Sequence, residues 1–124
     1  MADPGRFAGW RDAEVDPAKP SIARIYDYWL GGTRNLAADP ELGSRMETLD
    51  PRIPAACKAS RAFLGRAVRF LAEHTGIRQF IDIGSGIPTA GNVHEVAQRA
   101  APHARVLYAD RGPVAVAERQ AANC

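Results

Sequence analysis

The stretch FIDIGSGIPTAGN, residues 80–92, decides the fold because an apolar segment leads directly into two closely spaced glycines and a helix start. Its first four residues, FIDI, favour a buried strand. Asn92 and Glu95, three residues apart, are typical of a capping box at the start of a helix. The segment therefore predicts a strand, a loop containing Gly84 and Gly86, and a helix, in that order.

A second strand is predicted after this helix. The segment RVLYA, residues 105–109, is rich in strand-forming residues and ends at Asp110, and Pro113 marks the start of a last helix. The first strand is expected to span residues 77–83. Strand, helix, strand and helix in succession imply a parallel βαβ unit, in which both strands end at the same edge of the sheet.

Three helices are predicted before the first strand. The first begins at Ser21 and ends at Gly31, the second begins with Asp39 as its N-cap, and the third spans residues 54–76. Four basic residues lie away from the apolar stripe of the third helix, namely Lys58, Arg61, Arg66 and Arg69. Their placement favours a solvated basic face over a nucleic-acid patch.

These patterns divide the chain into three parts. Residues 1–19 contain proline, glycine and charge without periodicity and are expected to form a flexible N-terminal arm. Residues 20–76 are expected to form a helical cap or extension, and residues 77–124 a βαβα portion with parallel strands. The predicted fold class is therefore α/β, with parallel strands and an N-terminal helical extension.

The composition is that of an ordinary globular protein. Of the 124 residues, 46% are hydrophobic and 24% are charged, and the formal net charge is only +2. So balanced a charge gives nucleic acid or an anionic membrane no electrostatic support as a partner. No apolar run approaches the ~20 residues of a membrane helix.

The cysteines and histidines carry no recognisable metal-binding pattern. Cys57 and Cys124 are far apart without CxxC spacing, which favours a reduced compartment, and no signal-peptide pattern opens the chain. His74, His94 and His103 form no metal-ligand spacing with the cysteines. We therefore expect a cytoplasmic protein without a metal site.

Two phosphate-binding motifs share part of the glycine spacing. The segment from Gly86 to Gly91 has the spacing of a P-loop, but Asn92 follows where a lysine must reach the terminal phosphates, which excludes this motif. The dinucleotide fingerprint GxGxxG begins with Gly84 and Gly86. Its third glycine position holds Thr89, which hinders the close helix–strand packing of that fingerprint. An NAD(P)-binding protein is therefore a minor alternative.

S-adenosylmethionine needs close approach of the backbone but no phosphate cradle, so Gly84 and Gly86 suffice for it. Asp110, at the end of the second predicted strand, would accept hydrogen bonds from the vicinal hydroxyls of the ribose. On these residues alone, a structural glycine turn in another α/β protein stays open as an alternative.

The sequence around the loop closely resembles one family. QFIDIGSGIPTAGNVHEVAQ, residues 79–98, resembles the corresponding stretch of S-adenosylmethionine-dependent methyltransferases that are abundant in actinobacteria and were long classed as a domain of unknown function. PSIARIYDYWLGG, SRAFLGRAVRFLAE and APHARVLYAD resemble the same family in the same order. The resemblance covers residues 20–110 almost continuously.

That resemblance implies a partial Rossmann-like class I methyltransferase fold that uses S-adenosyl-L-methionine. Residues 77–124 would be the first βαβα portion of its Rossmann-like cofactor-binding domain. It places the methionine and ribose portions of the cofactor near Asp82, Gly84, Ser85, Gly86 and Asp110. Arg111 stands where the family usually has an asparagine beside the adenine. The YDYWLGG helix resembles a lid, so candidates for contact with cofactor or substrate also include Tyr26, Asp27 and Asn35. The core face of an amphipathic helix is the alternative role of Tyr26.

Members of the family are considerably longer, so the chain resembles their N-terminal half and its fold is expected to be truncated. The regions that follow the third and fourth strands in the family have no counterpart in the chain. The alternative function is therefore a non-catalytic cofactor-binding or interaction fragment, with self-association through the incomplete sheet. The sequence indicates neither the methyl acceptor nor a catalytic base.

Overall fold

The computed structural model describes residues 15–89 and 91–122. These residues form α1 Ile22–Trp29, α2 Ala38–Leu49, α3 Ile53–His74, β1 Gln79–Ile83, α4 Val93–Ala100, β2 Arg105–Ala109 and α5 Pro113–Ala122. Most of the predicted N-terminal arm, residues 1–14, lies outside the described residues. None of the helices in the described ranges is long and apolar enough to cross a membrane.

β1 and β2 pair in parallel and form a two-stranded sheet within the described residues. Gln79 lies opposite Arg105 and Ile83 lies opposite Ala109, so the two strands end side by side. α4 connects them, which confirms the predicted parallel βαβ unit and the α/β fold class. β1 begins at Gln79 and not at Ile77 as predicted.

The core lies between α3, α4 and one face of the sheet. Its buried side chains are those of Val68, Ala72, Val93, Ala97, Ala101 and Ala104. Phe80 of β1 and Tyr108 of β2 pack against this cluster. The capping box that Asn92 and Glu95 were predicted to form is present at the start of α4. Because α4 packs in the core, its capped first turn fixes the end of the glycine loop.

The opposite face of the sheet is exposed. Ile81, Ile83 and Leu107 are 67%, 83% and 63% exposed. The prediction that FIDI is a buried strand is therefore wrong for its two isoleucines. Successive strand side chains point to opposite faces, and α3 and α4 cover the face that carries Phe80 and Tyr108.

A buried ion pair joins α1 to α2. Arg24 Nε donates to Asp39 Oδ2 over 2.8 Å, and both side chains are almost completely buried. Asp39 also accepts hydrogen bonds from the backbone amides of Ser21 (2.8 Å) and Leu36 (2.7 Å). The predicted N-cap role of Asp39 is wrong because α2 already begins at Ala38. Its carboxylate instead satisfies amides that precede both helices.

Candidate functional site

A cavity of about 640 Å³ opens at the carboxyl ends of β1 and β2. Its lining comes from the glycine loop, the residues after β2, the start of α5, and side chains of α1 and α3. Volumes of roughly 300 to 1,000 Å³ are typical of small-molecule sites, and open α/β sheets bind ligands outside the carboxyl ends of their strands. The cavity is therefore the candidate site.

The glycine loop exposes its backbone to this cavity. Gly84 and Gly86 have φ angles of 71° and 65°, which disfavour any residue with a side chain. Apart from the glycine and its two chain neighbours, a Cβ atom placed on either glycine would meet no atom of the described residues within 4 Å. Backbone conformation, and not crowding by the protein, therefore requires glycine here, and the open space admits a ligand close to the backbone.

Asp110 ties the glycine loop to the start of α5. One carboxylate oxygen accepts a hydrogen bond from the Gly86 amide (2.8 Å), and the other accepts one from the Gly112 amide (2.7 Å). A carboxylate can accept about four hydrogen bonds, so about two more are available to a ligand. Asp110 can therefore hold the loop and bind a pair of hydroxyl groups at the same time.

Asp82, near the end of β1, also lines the cavity. Burial raises the pKa of its carboxyl group above the ordinary value, the positive charges of Arg119 and Arg61 oppose this effect, and the negative charge of Asp110 adds to it. A cation bound beside Asp82 would stabilise its ionised form further. Asp82 is therefore suited to a ligand group that carries positive charge.

Ser85 and Arg111 line the cavity from the glycine loop and from the residue after Asp110. The Ser85 hydroxyl is buried and has no hydrogen-bond partner among the described residues. Arg111 is exposed. All six residues that the sequence suggested as cofactor contacts therefore lie in the lining of one cavity.

The three residues suggested for the lid take different positions. Tyr26 lines the cavity, and its hydroxyl donates to the carbonyl of Cys57 in α3 over 3.1 Å. Asp27 lines the cavity, is 1% exposed, and accepts hydrogen bonds from the Arg34 amide (2.9 Å) and the Asn35 side-chain amide (3.1 Å). Asn35 is not among the described residues of the lining and instead supports the turn after α1.

Arg61 of α3 lines the cavity, although the sequence pattern placed it on a solvated face. That prediction is right for Lys58, Arg66 and Arg69, which are exposed, and wrong for Arg61. Arg61 Nη2 donates to the carbonyl of Gly91 (3.2 Å) and to Thr89 Oγ1 (3.4 Å). The i, i+3, i+7 spacing of Arg61, Leu64 and Val68 puts them on one helix face, and this signal could have identified Arg61.

Arg119 of α5 supports the glycine loop, and sequence reasoning missed it. Its guanidinium donates to the carbonyls of Ser85 (3.2 Å) and Gly86 (3.2 Å) and to Asn92 Oδ1 (3.1 Å). It also stacks on the ring of Tyr108, 3.9 Å from the ring centroid. These contacts join segments far apart in the chain, so no local pattern indicates them.

S-adenosylmethionine fits the chemistry of this lining. The cofactor combines a cationic sulfonium and ammonium, an anionic carboxylate and a ribose diol. The charged side chains of the lining are Asp27, Asp82, Asp110, Arg61 and Arg111, so the described cavity offers partners of both signs. In the described part of the chain, no group of three or more His, Cys, Asp or Glu side chains could hold a metal ion.

Comparison with known proteins agrees with this fit. The S-adenosyl methyltransferase family matches residues 8–122 of the chain. A DUF574 family protein from Streptomyces avermitilis MA-4680 has 44% sequence identity and a TM-score of 0.80, and its structure aligns with 87% of this chain. A protein from Thermobifida fusca YX, assigned provisionally as a methyltransferase, has 43% identity and a TM-score of 0.80 over 91% of this chain.

The chain is similar to only part of each of these proteins. The alignments cover 41% and 42% of the two relatives, so the chain spans about two-fifths of their length. No curated protein matches the chain. The family match nevertheless includes almost every residue, and the solved relatives share the fold of the described part. The chain therefore belongs to the S-adenosyl methyltransferase family.

Proposed function

We propose that this chain binds S-adenosyl-L-methionine in the cavity at the ends of β1 and β2, and that the protein uses it to methylate an acceptor. The observation that carries this proposal is the position of Asp110 against the open glycine loop. Its carboxylate is bonded to the Gly86 amide and still has capacity for the two hydroxyls of a ribose. The family match supports the same cofactor.

The lining residues divide among the parts of the cofactor by their chemistry. Asp110 binds the ribose, and the backbone of Gly84 and Gly86 approaches the atoms that join the ribose to the methionine portion. Asp82 lies where a positive charge is favoured, and Arg111 follows Asp110 on the adenine side. Tyr26 and Asp27 cover the cavity from α1, and Asn35 acts through Asp27.

When bound, the cofactor supplies a methyl group that is activated by a positively charged sulfur. The chain contributes binding and orientation, because methyl transfer depends mainly on an acceptor held about 3 Å from the methyl and in line with the bond that breaks. A general base is required only if the acceptor must lose a proton. The described lining of the cavity provides residues for binding and orientation.

Calorimetry with S-adenosylhomocysteine, the demethylated product, tests the proposed cofactor site. We expect measurable binding of S-adenosylhomocysteine and none of NAD, because Thr89 occupies the third glycine position of the dinucleotide fingerprint. Binding of NAD without S-adenosylhomocysteine would replace this proposal with the dinucleotide alternative. Transfer of an isotope-labelled methyl group to protein, nucleic acid or small-molecule mixtures then tests for catalysis.

A non-catalytic cofactor-binding or interaction module is the second candidate function. The exposed sheet face that contains Ile81, Ile83 and Leu107 favours it, because an apolar face of this kind is suited to contact another polypeptide. The two candidates differ in one measurement. Cofactor binding without methyl transfer to any acceptor, in a chain shown to be folded, would favour the module.

A further inference from the structure

Arg61 brings a positive charge to the cavity from α3. Among the described lining residues, the basic side chains are Arg61 and Arg111. Arg111 is exposed and adjoins Asp110, whereas Arg61 is half-buried and reaches the far end of the glycine loop through the carbonyl of Gly91. The two cations therefore reach the cavity from different elements, Arg61 from α3 and Arg111 from the residues after β2.

Two buried polar atoms at this site lack a hydrogen-bond partner. They are Arg61 Nε and Ser85 Oγ, and no other buried side-chain nitrogen or oxygen in the described residues shares this property. Both residues line the same cavity. Buried donors are rarely left unsatisfied in a native protein, so a pair of them beside a cavity indicates a ligand with an acceptor group. A cationic donor and a hydroxyl together favour an anionic oxygen.

The negative charge of Asp82, which lines the same cavity as Arg61, indicates which class of ligand fits. Arg61 and Asp82 both line the cavity, and the positive charge of Arg61 opposes the rise in the pKa of the Asp82 carboxyl group, so the cavity offers a cation and an anion that act on each other. An amino-acid group carries both an ammonium and a carboxylate on one carbon. The pair Arg61 and Asp82 is therefore complementary to the charges of an α-amino acid, whereas the Asp110 carboxylate already accepts hydrogen bonds from the amides of Gly86 and Gly112.

We propose that Arg61, together with the Ser85 hydroxyl, binds the carboxylate of the methionine portion of S-adenosylmethionine, with Asp82 facing the ammonium. This inference rests on the proposed function. It predicts that Arg61 distinguishes ligands that carry the amino-acid group from ligands that lack it. A residue that only ties α3 to the loop through Gly91 would affect both classes of ligand alike.

Two ligands separate these roles. S-adenosylhomocysteine carries the carboxylate and ammonium, whereas 5′-methylthioadenosine retains the adenosine and the sulfur but lacks both charged groups. Calorimetry with the full chain should show that Arg61→Met weakens binding of S-adenosylhomocysteine roughly 10- to 100-fold, the loss expected for a charge-assisted hydrogen bond, and leaves binding of 5′-methylthioadenosine unchanged. Arg61→Lys should restore part of the affinity because it keeps the charge.

Arg66→Met provides the matched control, because Arg66 lies exposed on the same helix. We expect it to bind both ligands as the unaltered chain does. An equal loss for both ligands in Arg61→Met, or no loss for either, would overturn the assignment of Arg61. If the unaltered chain bound 5′-methylthioadenosine but gained nothing from the amino-acid group, the assignment would also fail while the proposed cofactor site stood. If it bound neither ligand, the proposed function would fail and this inference with it.

Discussion

The backbone of Gly86 adopts a left-handed conformation with φ of 65°, and its amide donates to Asp110. We predict that Gly86→Val abolishes cofactor binding and leaves helix content near that of the unaltered chain. A β-branched residue is strained at this φ, and its side chain would occupy the open space beside the backbone. Circular dichroism and calorimetry with S-adenosylhomocysteine check the two parts.

Gly76 provides the control for backbone strain. It has φ of 73° at the end of α3 and does not belong to the described cavity lining. Gly76→Val should therefore lower the melting temperature without changing affinity. Equal and measurable affinities for Gly86→Val and the unaltered chain would show that the glycine loop is not the binding site.

Asp110 has both a structural and a proposed binding role. We expect Asp110→Ala to weaken binding of S-adenosylhomocysteine by roughly ten- to a hundredfold, because a charge-assisted hydrogen bond contributes about 1.5 to 3 kcal/mol. The melting temperature should also fall, since the amides of Gly86 and Gly112 lose their acceptor. Normal affinity combined with a lower melting temperature would restrict Asp110 to holding the loop.

At the scale of elements, the junction of α1 and α2 depends on a buried carboxylate. We predict that Asp39→Asn lowers the free energy of unfolding by about 3 to 5 kcal/mol, because Arg24 would remain buried without its ionic partner. Asp50→Asn is the control, since its partner Arg52 is 88% exposed and the pair should therefore contribute little. Urea denaturation of the three proteins measures the difference. Equal stabilities would contradict the role of the buried pair.

The same carboxylate predicts a dependence on pH. Burial by itself would raise the pKa of Asp39, but hydrogen bonds from Ser21, Leu36 and Arg24 and the charge of Arg24 outweigh it and hold the pKa below its ordinary value of 3.8. The unfolded chain therefore binds this proton more readily than the folded chain. Asp39 contributes its full stabilisation of the folded state above about pH 3.8, and this stabilisation is lost as the pH falls through the lower folded-state pKa.

The stability difference between the unaltered chain and Asp39→Asn should accordingly narrow as the pH is lowered below about 3.8. Thermal melts of both proteins between neutral and strongly acidic pH measure this. The difference between the Asp50→Asn control and the unaltered chain should stay small throughout. If the stability difference between the unaltered chain and Asp39→Asn stayed constant down to the lowest pH, the ionised state of Asp39 would not stabilise the fold.

For the whole molecule, the exposed edge and apolar face of the sheet affect stability and association. In the described sheet β1 pairs with β2 alone, so its other edge carries backbone groups without a strand partner, beside an exposed apolar face. Exposed edges and apolar faces favour pairing with another chain. A helix packed against such an edge cannot supply the ladder of backbone hydrogen bonds that a neighbouring strand would form. We therefore predict self-association or marginal stability of this chain in solution.

Analytical ultracentrifugation at low micromolar concentration, combined with a thermal melt, measures this behaviour. The double variant Ile81→Lys, Leu107→Lys should reduce association because it adds charge to the apolar face. Leu49→Lys is the control, since Leu49 is 87% exposed on α2 and away from the sheet. A monomer that unfolds in one sharp transition would contradict the prediction.

The order of elements and the position of the glycine loop follow from local signals in the sequence. β2 spans the predicted Arg105–Ala109, α5 begins at the predicted Pro113, and Asn92 and Glu95 form the predicted capping box. Each of these signals acts over a few residues, through strand propensity, fixed proline φ or a side chain bonded to a nearby amide. Such local signals do not depend on how the rest of the chain packs.

The sequence by itself thus determined the βαβ order, the glycines and the acidic residue that follows β2. Only the tertiary structure decided that Arg61 turns into the cavity, that Arg119 holds the carbonyls of Ser85 and Gly86, and that Asp39 is buried against Arg24. These contacts join residues that are 15 to 34 positions apart in the chain. They depend on the packing of one element against another. The periodicity of a helix indicates which residues share a face, as it does for Arg61 and Leu64, but not which groups that face contacts.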